Sequence, residues 1–142
     1  MRGGCVVNRC LDTTFLSDLI RSDPNAIGLA RKWAGEGDRL ATTAVNWFEV
    51  ELGIALERSK SRRRKLAEAW TKLSSSLDCG LLTRPAAETA ASRQAELLAR
   101  GRPAPFRDLF VAAIALSEGY EVVVTKDKAA FDRIGLVDAQ RH

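Results

Sequence analysis

PFRDLFVAAIALSEGYEVVVTKDKAAF, residues Pro105 to Phe131, decides the fold of this chain. Pro105 suits the first turn of a helix, where its missing N–H costs nothing. Phe106, Leu109, Phe110, Ala113 and Ile114 recur behind it at helical spacing. Gly119 supplies a left-handed cap. The β-branched run from Val122 to Thr125 then reads as a buried parallel strand. Asp108 falls in the first helical turn, and Asp127 falls just past the strand. Open α/β sheets bind ligands outside the carboxyl ends of their strands, so Asp127 stands where chemistry is expected.

The same alternation extends upstream. Cys5 to Leu11 reads as a first strand, closed by Asp12, with Thr13 and Thr14 as caps for the next helix. Pro24 opens a helix running to about Gly35, and Arg39–Thr43 forms a second strand. A long helix is predicted from about Asn46 into Glu57, another over Lys60–Leu77, and a third strand over Cys79–Thr83. A helix from Pro85 to Gly101 precedes the rigid Arg102–Pro105 loop. After the Val122–Thr125 strand come a helical turn over Phe131–Ile134 and an edge strand over Gly135–Val137. Alternating strands and helices predict a mostly parallel sheet of about four to five strands with helices on both faces. No linker or repeat divides residues 1–142, so one domain is expected.

The totals narrow the class. With 46% hydrophobic and 28% charged residues, the composition is that of a soluble globular domain, and a cytoplasmic location is expected. No apolar run is long enough to span a bilayer, so no membrane partner is expected. Three cysteines without regular spacing, Cys5, Cys10 and Cys79, argue against a disulfide framework. The lone histidine, His142, leaves too few ligands for a structural zinc. The net charge of +4 is a modest attraction for polyanions. Arg62 to Lys65 carry four successive positive charges, which point around a helix and read as a solvated turn.

Four acids sit at element ends: Asp12, Glu49, Asp108 and Asp127. Each has a local explanation. Asp12 ends a strand, and Glu49 stands at capping-box spacing from Asn46. Asp108 complements a helix dipole, and Asp127 can cap the short helix after it. Together they are harder to dismiss, because carboxylates brought close repel unless a cation offsets them. Hard oxygen ligands favour Mg²⁺ or Mn²⁺.

Four stretches resemble the ordered motifs of the PIN domain: LDTTFLSDL at Leu11–Leu19, NWFEVELGI at Asn46–Ile54, FRDLFVAAIAL at Phe106–Leu116 and VVVTKDKAAF at Val122–Phe131. More narrowly they resemble VapC toxins of type II toxin–antitoxin modules. The resemblance implies a three-layer α/β/α sandwich and a metal-dependent endoribonuclease that hydrolyses RNA through a metal-activated water. It maps the family's acids onto Asp12, Glu49, Asp108 and Asp127, as ligands of Mg²⁺ or Mn²⁺. It places Thr14 and Thr125 beside them. It also implies a homodimer, an RNA substrate and a cognate antitoxin as partner.

The chain departs from the family pattern where Thr14 replaces a common Asn or Ser, and where Ala130 replaces a common acid. Glu51 rivals Glu49, and motif spacing rather than periodicity favours Glu49. Two other readings stay open: a phosphatase with Asp12 as nucleophile, which lacks its usual second acid because Thr14 stands there, and a non-catalytic RNA- or partner-binding module. The long helix carries Val45, Phe48, Leu52 and Leu56 on one side, with Trp47, Val50 and Ile54 as a second apolar stripe. Such a helix is deeply buried or lies at an interface, and the second stripe is the candidate for a dimer contact.

Overall fold

The structure is a computed structural model that describes residues 6–142. Cys5, expected to open the first strand, lies outside the described residues. The elements run β1 (Asn8–Leu11), α1 (Thr13–Ile20), α2 (Pro24–Gly35), β2 (Arg39–Thr43), α3 (Ala44–Ala55) and α4 (Lys60–Ser74). They continue through β3 (Asp78–Gly80), α5 (Arg84–Ala99), α6 (Phe106–Glu118), β4 (Val122–Thr125), α7 (Lys128–Ile134) and β5 (Asp138–Arg141).

The five strands form one parallel sheet in the order β3-β2-β1-β4-β5. This is the expected α/β/α sandwich. β1 is central, with Cys10 paired to Ala41 of β2 on one side and to Val123 of β4 on the other. The chain moves outward from β1 through β2 and β3, then crosses back to β4. The switch point therefore lies between β1 and β4, and their carboxyl ends open one crevice.

The pleat divides the core between two faces, because successive strand residues point to opposite sides. Cys10 and Val123 join α5, α6 and α7 in one cluster around Val111, Ile114, Phe131 and Ile134. Leu11 and Val124 join α1 to α4 in the other, around Phe15, Leu16, Trp33, Ile54 and Trp70. Gly119 ends α6 at φ 75°, the left-handed conformation expected of it.

Several boundaries differ from expectation. Asp12, not Thr13 or Thr14, caps α1, accepting the Thr13 N–H at 3.0 Å. The third strand is shorter, Asp78–Gly80, and the helical turn near Phe131 begins three residues earlier, at Lys128. The edge strand is Asp138–Arg141 rather than Gly135–Val137. Its sequence, DAQR, is too polar to read as a strand, and Gly135 is instead the left-handed cap of α7, at φ 70°. In the basic run, Arg63 Nη1 donates to the Glu57 carbonyl at 2.9 Å and Arg62 lies 3.9 Å from the Glu57 carboxylate.

The two stripes of α3 separate. Val50 and Ile54 are buried in the α1–α4 cluster, where Trp47 packs edge-on against Trp70 with ring centroids 4.9 Å apart. The stripe proposed as an interface is thus core. In the other stripe Val45 is half-buried, whereas Phe48, Leu52 and Leu56 are exposed at 63%, 45% and 69%.

Gly80 in β3 shows how tightly α6 lies on the sheet. A Cβ there would sit 2.6 Å from Ile114 Cγ2 and 2.9 Å from Glu118 Cγ. Gly53, exposed in α3, has nothing within 4 Å. Gly80→Ala should therefore cost about 1–3 kcal/mol of stability by overpacking, whereas Gly53→Ala should gain about 0.5–1 kcal/mol by helix propensity. Urea denaturation of the two variants measures both signs, and equal effects would contradict the close approach of α6.

Candidate active site at the carboxyl end of the sheet

Asp12 ends the central strand and is only 5% exposed. A buried carboxylate needs donors, and this one has several. Oδ1 accepts from the Thr13 N–H, from Asn46 Nδ2 at 2.7 Å and from Arg107 Nη2. Oδ2 accepts from Thr125 Oγ1 at 2.7 Å. Thr125 thus stands beside the first acid.

Asn46 explains why α3 starts where it does. Thr43, not Asn46, caps the helix, accepting the Asn46 N–H at 3.2 Å. Thr43 Oγ1 also donates to Asn46 Oδ1 at 2.7 Å, which orients the amide so that Nδ2 faces Asp12 and Thr13. The capping-box explanation of Glu49 falls away with that shift. Glu49 instead accepts from Thr13 Oγ1 and, through both carboxylate oxygens, from Arg107 Nε at 2.8 and 2.9 Å. Glu51 points elsewhere and accepts from Trp70 Nε1 at 2.9 Å. Of the two glutamates, Glu49 is the one that shares Arg107 with Asp12 and Asp108.

Asp108, in the first turn of α6, is 6% exposed and accepts from Arg107 Nη1 at 2.7 Å. Three carboxylates from three elements, Asp12, Glu49 and Asp108, thus meet on one guanidinium. Asp127 is different. It is exposed and caps α7 by accepting the Ala130 N–H at 3.3 Å, while its own N–H donates to Thr125 Oγ1 at 3.0 Å. Thr14 is exposed as well, and its hydroxyl lies 3.3 Å from His142 Nε2 rather than near an acid. Thr13, one residue earlier, is the hydroxyl inside the cluster.

The electrostatics follow from these contacts. Burial pushes the Asp108 carboxyl up. Arg107 opposes that shift, and the charges of Asp12 and Asp127 add to it. Burial alone would lower the Arg107 pKa, but hydrogen bonds and charge from Glu49, Asp12 and Asp108 raise it overall. The guanidinium is therefore firmly cationic. Burial also drives the Cys10 thiol far up, with the Asp12 charge adding to it, so that thiol is no nucleophile.

Arg107 was not singled out from the sequence, and Thr13 and Asn46 were read there only as capping residues. Arg107 carried one available signal. A basic residue in a helix's first turn opposes the macrodipole and needs a local reason to be there. Among the described residues, no group of three acids stands at metal-ligand geometry, and Asp12, Glu49 and Asp108 are bridged by Arg107.

A parallel sheet with a carboxylate cluster at its switch point defines an α/β domain whose candidate site lies at the strand ends. Residues 9–136 match the PIN domain model, and the chain belongs to that family. It is 33% identical to the plasmid stability protein StbB of Pseudomonas syringae pv. tomato, over 89% of this chain and 92% of that protein. Among solved structures it is similar to DNA-bound VapBC from Salmonella typhimurium, with 26% identity, a TM-score of 0.76, and coverage of 96% of this chain and 98% of that one. VapBC2 from Rickettsia felis, bound to a DNA fragment from its promoter, shares the fold at 17% identity with a TM-score of 0.80, covering 96% and 99% of the two chains.

Asn46→Ala and Thr125→Val each withdraw one donor from buried Asp12. Each should cost about 1–3 kcal/mol, the usual penalty for an unsatisfied buried group. Thr14→Ala, at an exposed hydroxyl, should stay within about 0.5 kcal/mol of wild type. Denaturant midpoints at neutral pH check the contrast, and a Thr14 effect as large as the Thr125 effect would reverse the assignment.

Proposed function

We propose that this chain is a VapC-like toxin, a Mg²⁺- or Mn²⁺-dependent endoribonuclease held in check by a cognate antitoxin. The observation that carries this reading is the gathering of Asp12, Glu49 and Asp108 on a single cation at the switch point of the sheet. The donor set fits a hard divalent ion: it is all oxygen, it is partly buried, and it already surrounds positive charge. Asp12, Asp108 and Glu49 would hold the ion, with Asp127 at the rim. When bound, it supplies activation of a water and neutralisation of charge on the phosphodiester.

The chain's own residues prepare that chemistry. Asn46 and Thr125 hold both oxygens of Asp12 in place. The sheet and the first turn of α6 fix Asp12 and Asp108, and elements so anchored position ligands better than loops do. Among the described residues the Cys10 thiol is buried, and His142 lies against Phe15 and Thr14. Hydrolysis by water would leave a 5′-phosphate and a 3′-hydroxyl. The antitoxin reading draws on the relatives, several of which were solved as VapBC or FitAB pairs.

The nuclease reading is tested on a structured RNA with Mg²⁺ or Mn²⁺, with and without EDTA. Cleavage should need the ion. Asp12→Asn and Asp108→Asn should each cost about 100-fold or more in single-turnover rate, the scale of a principal electrostatic group. Asp127→Asn should cost about tenfold, as for an outlying partner, with Glu49→Gln between. Cleavage that survives exhaustive chelation would sink the cation mechanism. Full RNA binding without any cleavage would favour a non-catalytic module.

The homodimer reading now rests on Phe48, Leu52 and Leu56, which are spaced four residues apart along α3 and leave a large apolar stripe uncovered. Sedimentation equilibrium should show a dimer at micromolar concentration and a monomer for Phe48→Asp. A monomeric wild type would remove the dimer and leave the nuclease reading untouched.

A further inference from the structure

Arg107 occupies the heart of the carboxylate cluster. Nε bonds both oxygens of Glu49 at 2.8 and 2.9 Å, Nη1 bonds Asp108 Oδ1 at 2.7 Å, and Nη2 bonds Asp12 Oδ1 and Thr13 Oγ1, the latter at 3.1 Å. These bonds engage both oxygens of Glu49 and one oxygen each of Asp12 and Asp108. The other Asp12 oxygen is taken by Thr125. The guanidinium therefore occupies the position among the three acids that a shared divalent ion would need.

The position of Arg107 in the chain strengthens the point. It lies in the first turn of α6, where positive charge opposes the helix dipole. Its side chain is still 31% exposed, so it has a way out toward solvent. The planar fork of arginine matches three acceptors at once, which an ammonium would not do.

We propose that Arg107 is a built-in counter-ion that competes with the divalent cation for Asp12, Glu49 and Asp108, so that loading the site requires the guanidinium to swing out. This rests on the cation reading of the site. Without the ion, Arg107 holds the acids together and spares the fold three mutually repelling charges. With the ion, that duty passes to the metal. The apparent affinity is then lower than the intrinsic one, because only molecules with Arg107 released are competent to bind.

Calorimetric titration of Mn²⁺ into the full chain and into Arg107→Met tests this without any turnover. The expected result is binding to Arg107→Met about tenfold tighter or more, together with a lower melting temperature of that variant in EDTA and a larger rise on adding Mn²⁺. Equal or weaker binding by Arg107→Met would overturn the proposal and leave the cation site standing. Absence of binding to both proteins would overturn the cation reading, and the competition with it. If Arg107→Met does not fold without metal, wild type decides. The Arg107 Nε–H signal in ¹H–¹⁵N spectra, assigned by its loss in Arg107→Lys, should be protected in EDTA. It should move to the exchange-broadened position of a free arginine at saturating Mg²⁺. A signal unchanged at saturating Mg²⁺ would overturn the proposal.

Discussion

Asp12 puts a nearly inaccessible carboxylate at the end of the central strand, and keeping its charge satisfied constrains most of what surrounds it. Its donors come from the start of α1, from α3, from the last residue of β4 and from α6. Those segments are far apart in the chain and meet only because of the strand order. β1 has β2 and β4 as its neighbours. β2 runs directly into α3 and delivers Asn46, whereas β4 ends on Thr125. One side chain therefore reports on the pairing of three strands. Removing a partner from such a buried charge costs more than the contact itself contributes, because the charge is left uncompensated.

The apolar part of the fold makes that polar centre possible. Each strand sends alternate residues into two separate clusters, so both faces of the sheet are closed by helices. Small residues on α6, Ala112, Ala113 and Ala115, are fully buried and let that helix lie close to the sheet. Its first turn is thereby set beside the end of β1. Polar groups are left to emerge at the strand ends, where backbone pairing stops and helices begin. The position of Asp108 is thus a consequence of how Val111, Ala112 and Ile114 pack one to two turns further along.

The layout was largely legible in the sequence because buried parallel strands and amphipathic helices leave strong periodic signals. Pro24, Arg39–Thr43 and Gly119 mark boundaries that the structure keeps. The edge strand Asp138–Arg141 was not legible. An edge strand needs only one neighbour, and its polar residues carry no alternation. The faces of α3 were misread for a related reason. Both stripes are apolar, and periodicity cannot say which one the domain covers. In the site, spacing placed the acids near one another but gave no view of what neutralises them. Thr13 and Thr14 are adjacent and chemically alike, and only the helix rotation at Asp12 decides which one faces Glu49. Arg107 drew no reading of its own from the sequence.

The identity of that arginine matters more than its charge. Three carboxylates against one guanidinium leave two negative charges uncancelled, and Asp127 adds another within electrostatic reach of Asp108. Charge alone would be met as well by a lysine. Geometry would not, because Asp12, Glu49 and Asp108 lie around a plane that Nε, Nη1 and Nη2 address separately. The same fork makes the hold divisible. Each acid is held by its own N–H group, so the loss of one bond leaves the others in place. A cluster built this way keeps net negative charge at the strand ends even with Arg107 in it.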